Sequence, residues 1–412
     1  MKIASAIKWV IAALSFIWCA IEAMGNGDFF IYCYAAEMLR DGNDIYTRTF
    51  LNGFHYYYSL SFALLLKPFL TLPFYGVKMG WLIINLTAYF HLFYLAITSK
   101  YVRALTVSRQ KMMTVLLFLS SFRVLYDNIH TSQITLVLLW LSVYGTMCSI
   151  RGQAVKGGLL LAIGVNIKLL PLVIIPYLVY RGYFKAVLVC LFGVIALLVL
   201  PGLFIGMDYN FFLLARWWEL VNPAGTQHVL DTDERSFHGL TTLLSTLLVE
   251  KVPDVYALPL KRNIADVSID TLSKIIGLVR LTLVAFTLYF LRWTPFKKAS
   301  GSKTLFEMSY LLMVVPLIFP HQQAYGFIFM APAMGCILWV LLKHSTTRHS
   351  FVFVKWCYGL VFLLFSLKIL LGEFNHYYEH YKILTYGAIL LIPLLVWAYR
   401  QEVLLPQTKS SD

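Results

Sequence analysis

Apolar runs of about 20 residues, separated by short polar connections, make up most of this chain of 412 residues. A run of that length crosses a membrane as one α-helix, so the pattern predicts an all-α polytopic integral membrane protein with about 10–12 transmembrane helices. The clear runs begin near Ile7, Gly76, Met112, Ile134, Tyr183, Thr271, Leu305, Tyr325, Phe351 and Ile383. No separate soluble stretch interrupts them, and we expect residues 1–412 to form a single membrane-embedded domain.

Two further apolar segments, 55–74 and 157–180, are interrupted. A Lys-Pro pair at 67–68 breaks the first, and a Lys-Leu-Leu-Pro run at 168–171 breaks the second. If both segments cross the membrane once, the basic residues between 100 and 111 fall outside, against the positive-inside rule. If both re-enter instead, their non-helical backbone has to line a protein cavity, which predicts a site. The sequence leaves both arrangements open.

Composition agrees with a membrane protein and argues against other classes. Hydrophobic residues make up 59% of the chain and charged residues 13%, against roughly 45–50% and 25% in soluble domains. The net charge of +14 lies in short clusters between the apolar runs, which is typical of cytoplasmic loops and not of a nucleic-acid-binding surface. The six cysteines include no Cys-x-x-Cys pair, so they indicate no disulfide framework and no zinc site.

The basic loops predict which polar segments face outside. The stretches 292–303 and 343–355 are strongly basic and are expected on the cytoplasmic side, as are the lysines near the N-terminus. The juxtamembrane segment 25–57 and the long hydrophilic loop 206–270 then lie on the outer face, with juxtamembrane helices. Within that loop, the amphipathic stretch 211–221 is expected to form a helix lying in the membrane interface. We expect a multi-pass protein of the plasma (inner) membrane with its active site facing outside.

Asp28 is the first candidate for chemistry, because this carboxylate follows the first apolar run at the point where the chain leaves the membrane. Placing an ionisable side chain at the edge of a membrane costs free energy, so such a residue is expected to have a function. Asp28 is either the N-cap of a helix from about Phe29 to Arg40 or a general base at a water-filled cavity. The residue type fits both interpretations.

A second polar cluster, His321-Gln322-Gln323, stands between two later apolar runs. Its hydrogen-bonding groups suit the hydroxyls and the phosphate of a sugar donor, and His321 is the second catalytic candidate. A histidine at the end of a membrane helix is also often an interfacial residue with its polar tip in water. On the predicted orientation, this cluster lies on the same face as Asp28.

Lys168 lies inside an apolar segment, where an ammonium group has to be neutralised or has to reach water. It is either a lysine that extends to water from a kinked helix or a cation for a phosphate group. The re-entrant arrangement would also turn Gln133 toward the outer face. We expect the donor phosphate and sugar to contact Lys168, Gln133, Gln322, Gln323, Tyr32, Arg235 and His238.

The chain has no nucleotide-binding motif, neither Gly-x-x-x-x-Gly-Lys-Ser/Thr nor Gly-x-Gly-x-x-Gly after a strand. Catalysis at the outer face would not draw easily on nucleotide sugars of the cytosol. A lipid-linked sugar donor is consistent with both observations.

Several scattered positions of this chain together resemble glycosyltransferase family 87. They are Gly27-Asp28-Phe29, Tyr32, Ala35-Ala36, Leu39, Gly42, Ile45-Tyr46, Gln133, Gly158-x-x-Leu161-Ala162 and Ile167-Lys168-x-x-Pro171, with Ser236-x-x-Gly239-Leu240 further on. The likeness is clearest over the first 200 residues. The chain departs from the family where members carry Tyr-x-Pro or Tyr-Pro-Pro and it has Tyr56-Tyr57-Tyr58-Ser59. It also has Ser132 and Thr135 where Gly and Asn are usual.

The resemblance implies a GT-C type glycosyltransferase fold, a polyprenyl-phosphate-sugar donor, inversion at the anomeric carbon and a base at Asp28. The family includes mannosyltransferases that elongate phosphatidylinositol mannosides. We therefore expect transfer of a sugar, with mannose foremost, to a hydroxyl of a lipid or glycan acceptor. No cofactor and no metal are expected, since cationic side chains can serve the phosphate, although Asp28 with Glu37 or His321 could hold one ion.

Two other membrane functions stay open at this point. A lipid-linked sugar transporter or flippase would also have interrupted helices, but it predicts inverted repeats, which the sequence does not show. An O-antigen ligase or polymerase-like enzyme would use a lipid-diphosphate donor and favour several arginines in the long outer loop. For the glycosyltransferase, the expected partners are a polyprenyl-phosphate sugar, a glycolipid or glycan acceptor and membrane lipids, and not nucleic acid.

Overall fold

The computed structural model describes residues 2–47, 50–222, 238–250, 252, 254, 257–299, 301–344 and 349–405, and it has α-helices and no strand in these ranges. In chain order the α-helices are α1 (Lys2–Met24), α2 (Phe29–Arg40), α3 (Leu60–Leu66), α4 (Phe74–Ile97), α5 (Lys100–Arg103), α6 (Val107–His130), α7 (Thr135–Ile150), α8 (Ala154–Ile167), α9 (Ile174–Tyr180), α10 (Phe184–Val199), α11 (Gly202–Ile205), α12 (Met207–Val221), α13 (Leu240–Leu248), α14 (Ile269–Leu291), α15 (Ser302–Ile318), α16 (Ala331–Lys343), α17 (His349–Ser366), α18 (Asn375–His380) and α19 (Ile383–Tyr399). Shorter 3₁₀ segments are Phe50–Gly53, Lys67–Thr71, Leu170–Val173, Ala324–Met330, Leu367–Ile369 and Gly372–Phe374, and a π-helical turn follows at Arg400–Leu404. The all-α prediction is confirmed.

Among the described residues, seven helices are long and apolar enough to cross a membrane, or eight if the bent pair α1 and α2 forms one span. The seven are Phe74–Ile97, Val107–His130, Phe184–Ile205, Ile269–Leu291, Ala324–Lys343, His349–Ile369 and Ile383–Leu404. Shorter apolar helices fill Leu60–Thr71, Thr135–Ile150, Ala154–Ile167 and Leu170–Tyr180. The chain is thus a multi-pass membrane protein. Full-length spans are fewer than the predicted crossings, because several apolar runs form helices too short to cross alone.

Both predicted interruptions are present. Helix α3 ends at Leu66 and continues as a 3₁₀ segment from Lys67, and α8 ends at Ile167. Lys168 then has extended backbone, with φ −151° and ψ 136°. A proline follows each break, Pro68 and Pro171, and it lacks the backbone N–H with which a continuing α-helix would bond to the carbonyl four residues earlier.

The chain divides into two compact units. The first comprises Met1–Phe93, Leu125–Ile175 and Tyr183–Asn222. Its helices α7, α8 and α10 approach closely through small residues: a Cβ on Gly157 would lie 2.6 Å from the Gly145 carbonyl oxygen, and one on Gly158 would lie 2.6 Å from that of Ala186. Small residues allow such approach between membrane helices.

Within the same unit, the start of α3 is joined to the end of α8. The Ser59 backbone N–H donates to the Ile167 carbonyl at 3.3 Å, and the Ser59 hydroxyl donates to Asn166 Oδ1 at 2.9 Å. The Ile167 carbonyl has lost its helical partner at the break, so Ser59 satisfies a group that would otherwise be costly to bury. The two interrupted segments are therefore adjacent.

Helix α12 also belongs to this unit and contains the stretch 211–221 that was predicted to be helical. It buries Asn210, Leu213 and Trp217 and exposes Phe211 and Trp218. The amphipathic helix is confirmed, and its placement in a membrane interface stays a prediction.

The second unit comprises Tyr94–Val124, Pro176–Gly182 and Pro223–Asp412. Its polar core is a fully buried ion pair between Arg181 and Glu307, in which Arg181 Nε donates to Glu307 Oε2 at 3.0 Å. Arg181 Nη2 donates to Glu307 Oε1 and to the Leu291 carbonyl, and Nη1 donates to the carbonyls of Thr294 and Lys297. Every charge in this pair is compensated, which is what allows it to be buried.

Candidate active site

Asp28 occupies the N-cap position of α2, as one interpretation expected, but its carboxylate makes no capping hydrogen bond. The carboxylate instead accepts a hydrogen bond from Gln133 Nε2. Among the described residues, no other group hydrogen-bonds to it. Asp28 lies in the connection between α1 and α2, outside both helices, and it is half-buried. The Asp28 side chain is therefore positioned by Gln133, which is distant in the sequence, and not by a backbone N–H of α2.

The connection that carries Asp28 is docked on the turn that carries Gln133. The Asp28 backbone N–H donates to the Thr131 carbonyl at 2.8 Å, and Gly27 packs against Ser132. Ser132 has φ +57°, in the left-handed region that favours glycine. This conformation explains why glycine suits the position before Gln133, where the chain departs from the resemblance noted above.

Helix α4 holds both of these turns. Lys78 Nζ donates to the Gly25 carbonyl at 2.6 Å, and Trp81 Nε1 donates to the Ser132 carbonyl at 2.8 Å. Lys78 and Trp81 are three residues apart and so lie on one face of the helix. One helix face thus fixes the spacing between the Asp28 connection and the Gln133 turn.

Gln133 and Tyr32 are fully buried, with 0% of each side chain exposed. The Tyr32 hydroxyl lies 3.0 Å and the Tyr58 hydroxyl 3.2 Å from Gln133 Oε1, and the two hydroxyls lie 2.9 Å from each other. The rings pack edge to face, with centroids 4.8 Å apart. These two predicted donor-binding residues therefore lie next to Asp28, but they are fully buried whereas Asp28 is partly exposed.

Lys168 completes this group of residues. Its Nζ lies 5.1 Å from the centre of the Tyr58 ring, and its side chain is half-buried. Burial raises the pKa of Asp28 to about 6, while the Gln133 hydrogen bond and the Lys168 charge act in the opposite direction. The Asp28 carboxylate and the Lys168 ammonium group are thus both partly accessible. Each contacts a buried residue: Asp28 contacts Gln133, and Lys168 contacts the Tyr58 ring.

The remaining predicted site residues belong to the second unit. His321 and Gln323 are half-buried, and His321 has φ +55°. Gln322 is buried, and its Nε2 donates to the Pro320 carbonyl at 2.9 Å. His238 is buried as well, and its backbone N–H donates to the Gln322 carbonyl at 2.8 Å. His238 and Gln322 therefore meet, whereas Arg235 lies outside the described residues.

His238 also makes a buried contact with a carboxylate that sequence reasoning did not anticipate. Its Nε2 lies 2.7 Å from Glu379 Oε2, and Lys368 Nζ lies 2.5 Å from the other carboxylate oxygen. Burial lowers the pKa of His238, and it would raise that of Glu379, but His238 and Lys368 together lower the latter below its usual range. This arrangement anchors the backbone that supports the loop at Gln322.

Sequence reasoning missed three residues of the site around Asp28: Tyr58, Lys78 and Trp81. Lys78 carried a signal, since a lysine inside an apolar run needs a partner. Tyr58 stood in the Tyr-Tyr-Tyr run that was noted only as a departure from a family pattern. As for a metal, no three His, Cys, Asp or Glu side chains within the described parts of the chain are close enough to hold one.

Comparison with known proteins adds one finding. The model of glycosyltransferase family 87 matches residues 56–320, which is more than half of the chain. The match includes Tyr58, Gln133 and Lys168, whereas Asp28 and His321 lie outside it. No curated protein matches the chain.

Proposed function

The chain belongs to glycosyltransferase family 87, and we propose that it moves a sugar, with mannose as the expected one, from a polyprenyl-phosphate donor to an acceptor hydroxyl. The family and the apolar helices make the protein a membrane glycosyltransferase. The donor, the acceptor, a plasma-membrane location and an outward-facing site are parts of the proposal. The acceptor hydroxyl would belong to a lipid or a glycan at the membrane surface.

The observation that carries the proposal is the partly accessible carboxylate of Asp28 with the ammonium group of Lys168 acting on it. A glycosyl transfer from a phosphate ester needs a base for the attacking hydroxyl and positive charge for the departing phosphate. These two residues supply both within one compact unit. A pKa of about 6 leaves Asp28 mostly ionised at neutral pH while keeping it basic enough to accept a proton.

In the proposed reaction, the acceptor oxygen attacks the anomeric carbon and its proton passes to the Asp28 carboxylate. The bond between the anomeric carbon and the phosphate oxygen breaks, and its electron pair stays on the phosphate. The products are a glycoside of inverted configuration, polyprenyl phosphate and a protonated Asp28, which then returns its proton to water. Lys168 stabilises the charge that develops on the phosphate, an effect that is stronger in a partly desolvated site than in water.

The remaining residues that the sequence assigns to the donor belong to the second unit, and each stays a separate proposal. His321 is the second proposed catalytic residue, because it is partly accessible and can hydrogen-bond to a phosphate or a sugar hydroxyl. Gln323 is proposed to bind the donor, and so is Arg235. Gln322 and His238 are buried, and we propose that they serve the donor by holding the loop in place. No cofactor and no metal are part of the proposal.

The test is donor choice by the purified full chain in lipid nanodiscs. Radiolabelled polyprenyl-phosphate mannose, a polyprenyl-diphosphate sugar and a nucleotide-linked mannose are each supplied with a total lipid extract as acceptor. The proposal predicts labelled glycolipid from the first donor alone, with and without EDTA. Transfer only from the diphosphate donor would support a ligase-type enzyme, and transfer from the nucleotide sugar would contradict a lipid-linked donor.

A further inference from the structure

The buried layer behind Asp28 contains two residues that sequence reasoning assigned to donor binding. Gln133 and Tyr32 are both 0% exposed, so a donor cannot touch them in this structure. Within the described residues, the contact that links them to the proposed chemistry is the hydrogen bond from Gln133 to Asp28. We propose that Gln133 is a positioning residue for Asp28, and that the hydroxyls of Tyr32 and Tyr58 fix the orientation of its amide. The catalytic meaning of this assignment rests on the proposed function.

The hydrogen-bond inventory supports one orientation of the amide. A glutamine has an acceptor at Oε1 and donors at Nε2, whereas a tyrosine hydroxyl carries one proton. Two hydroxyls surround Gln133 Oε1, and at most one of their two protons can bridge the hydroxyls themselves. Both hydroxyls lie within donating distance of Oε1, at 3.0 Å from Tyr32 and 3.2 Å from Tyr58. This directs Nε2 toward the Asp28 carboxylate.

The opposite orientation would place two acceptors against each other. With the amide reversed, Oε1 would face the Asp28 carboxylate, which is acceptable only if Asp28 is protonated. The tyrosine hydroxyls thus favour the ionised form of Asp28, the form that a general base needs. The second Asp28 oxygen makes no hydrogen bond within the described residues and stays available to a substrate.

Tyr58 also connects this network to the proposed phosphate cation. Its ring lies beneath Lys168 Nζ, and its hydroxyl lies beside Gln133 Oε1. A Tyr58→Phe substitution removes the hydroxyl and keeps the ring. The change therefore isolates the orienting effect on Gln133 from the contact with Lys168.

Other titratable groups lie near Asp28 in this unit. They are Lys168 after α8, Lys78 on α4, Tyr32 on α2, Tyr58 before α3, and Glu22 on α1 with His130 on α6, whose side chains lie 3.0 Å apart. Of these, only the Lys168 charge acts on the pKa of Asp28, beside the Gln133 hydrogen bond. The substitutions below leave Lys168 in place.

The first experiment titrates Asp28 directly and needs no glycosyl transfer. Infrared difference spectra of the full chain in nanodiscs follow its carboxyl band with pH, and Asp28→Asn identifies that band. Gln133→Met, close in shape but without the donor, should raise the pKa of Asp28 by roughly one unit, because a hydrogen bond to a charged group is lost. Tyr58→Phe and Tyr32→Phe should each raise it by less, and the double variant by more than either.

The matched control is Tyr56→Phe. Tyr56 is 0% exposed in the same aromatic cluster, but its hydroxyl donates to the Ser59 carbonyl at 3.3 Å and not to Gln133. Its removal should leave the titration of Asp28 unchanged. An unchanged titration in the Tyr58→Phe, Tyr32→Phe double variant, which does not depend on Gln133→Met folding, would overturn the assignment.

The second experiment measures the pH profile of transfer with polyprenyl-phosphate mannose for the same variants. If Asp28 is the base, the acidic limb moves to higher pH together with the infrared titration, and the rate recovers at high pH. A purely structural role would lower the rate at every pH without moving the limb, which would contradict positioning. A moved titration with an unmoved limb supports the Gln133 assignment and counts against Asp28 as the base, so the two proposals fail separately.

Discussion

The contact between the Asp28 connection and the Gln133 turn can be tested by a single methyl group on Gly27. A Cβ at Gly27 would lie 2.8 Å from Ser132 Oγ, 3.1 Å from the Thr131 carbonyl oxygen and 3.2 Å from Ser132 Cβ. Non-bonded carbon atoms prefer separations of about 3.5–4.0 Å. Gly27→Ala therefore has to push the two turns apart by several tenths of an ångström, which also stretches the backbone hydrogen bond from Asp28 to Thr131.

Two magnitudes follow from this overlap. Overpacking of a well-packed contact typically costs about 1–3 kcal/mol of stability, and we expect a loss in that range. A misplacement of about 1 Å at a catalytic group costs roughly 100-fold in rate, so a smaller shift of Asp28 should cost roughly 10-fold. The assays are the transfer rate with polyprenyl-phosphate mannose and unfolding in detergent micelles, followed by intrinsic fluorescence.

Gly25→Ala is the matched control. A Cβ at Gly25 meets only the Glu22 carbonyl oxygen, at an ordinary distance of 3.6 Å, so both stability and rate should stay near the parent. Adding Ser132→Gly to Gly27→Ala removes two of the three close atoms and should restore part of the rate. If Gly27→Ala transfers sugar like Gly25→Ala, the two turns do not have to touch, and the reasoning is wrong.

Three further substitutions test other parts of the structure. Lys168→Ala should strongly reduce turnover with the lipid-phosphate donor and Lys168→Arg should reduce it less, because the charge is kept while its geometry changes; parental kinetics in both would leave Lys168 a structural residue. Arg181→Met should destabilise the protein by about 3 kcal/mol, because the buried Glu307 carboxylate then keeps the Tyr177 hydroxyl at 3.1 Å and the Lys303 ammonium group at 3.9 Å but loses the guanidinium. Arg181→Met with Glu307→Met should recover much of that loss, because no buried carboxylate is left; equal unfolding of the single and double variants would contradict this account. Ser132→Gly alone should stabilise the fold by about 1 kcal/mol, because glycine adopts the left-handed backbone conformation at position 132 without the strain that a serine Cβ causes. If this variant unfolds more easily than the parent, the serine hydroxyl contributes more stability than the backbone strain costs.

The apolar pattern predicted most of the helices and both breaks. Each of these features is local: a run of apolar residues, a proline, or an aspartate before a helix. Helix α2 begins at Phe29 and ends at Arg40 as expected, and the interruptions occur at Lys67 and Lys168. The number of helices that cross the whole membrane was harder to predict. An apolar run does not show whether close packing with neighbouring helices allows a helix that is shorter than the membrane.

The site was predicted only in part, because its key contacts join residues far apart in the chain. Gln133 and Asp28 are 105 positions apart, and nothing local indicates that the amide faces the carboxylate or that it is fully buried. Tyr58 and Lys78 act through tertiary contacts of the same kind. The residue types could be selected from the sequence, but whether each would touch a substrate or support a neighbour depends on burial, which only the folded chain determines.

The central claim is that Asp28 is the base of a glycosyl transfer, and Asp28→Asn tests it most directly. The carboxylate does not cap α2, and an asparagine oxygen can still accept the Gln133 hydrogen bond, so the variant should fold and insert like the parent. Parental transfer should fall with decreasing pH around a pKa of about 6, since protonation removes the base.

The measurement is single-turnover transfer from polyprenyl-phosphate mannose by parent and Asp28→Asn across pH, alongside donor binding. The account predicts retained donor binding, a rate roughly 10²–10⁴-fold lower, and no acidic limb near pH 6. A folded Asp28→Asn protein that transfers sugar within a few-fold of the parent at neutral pH would contradict it.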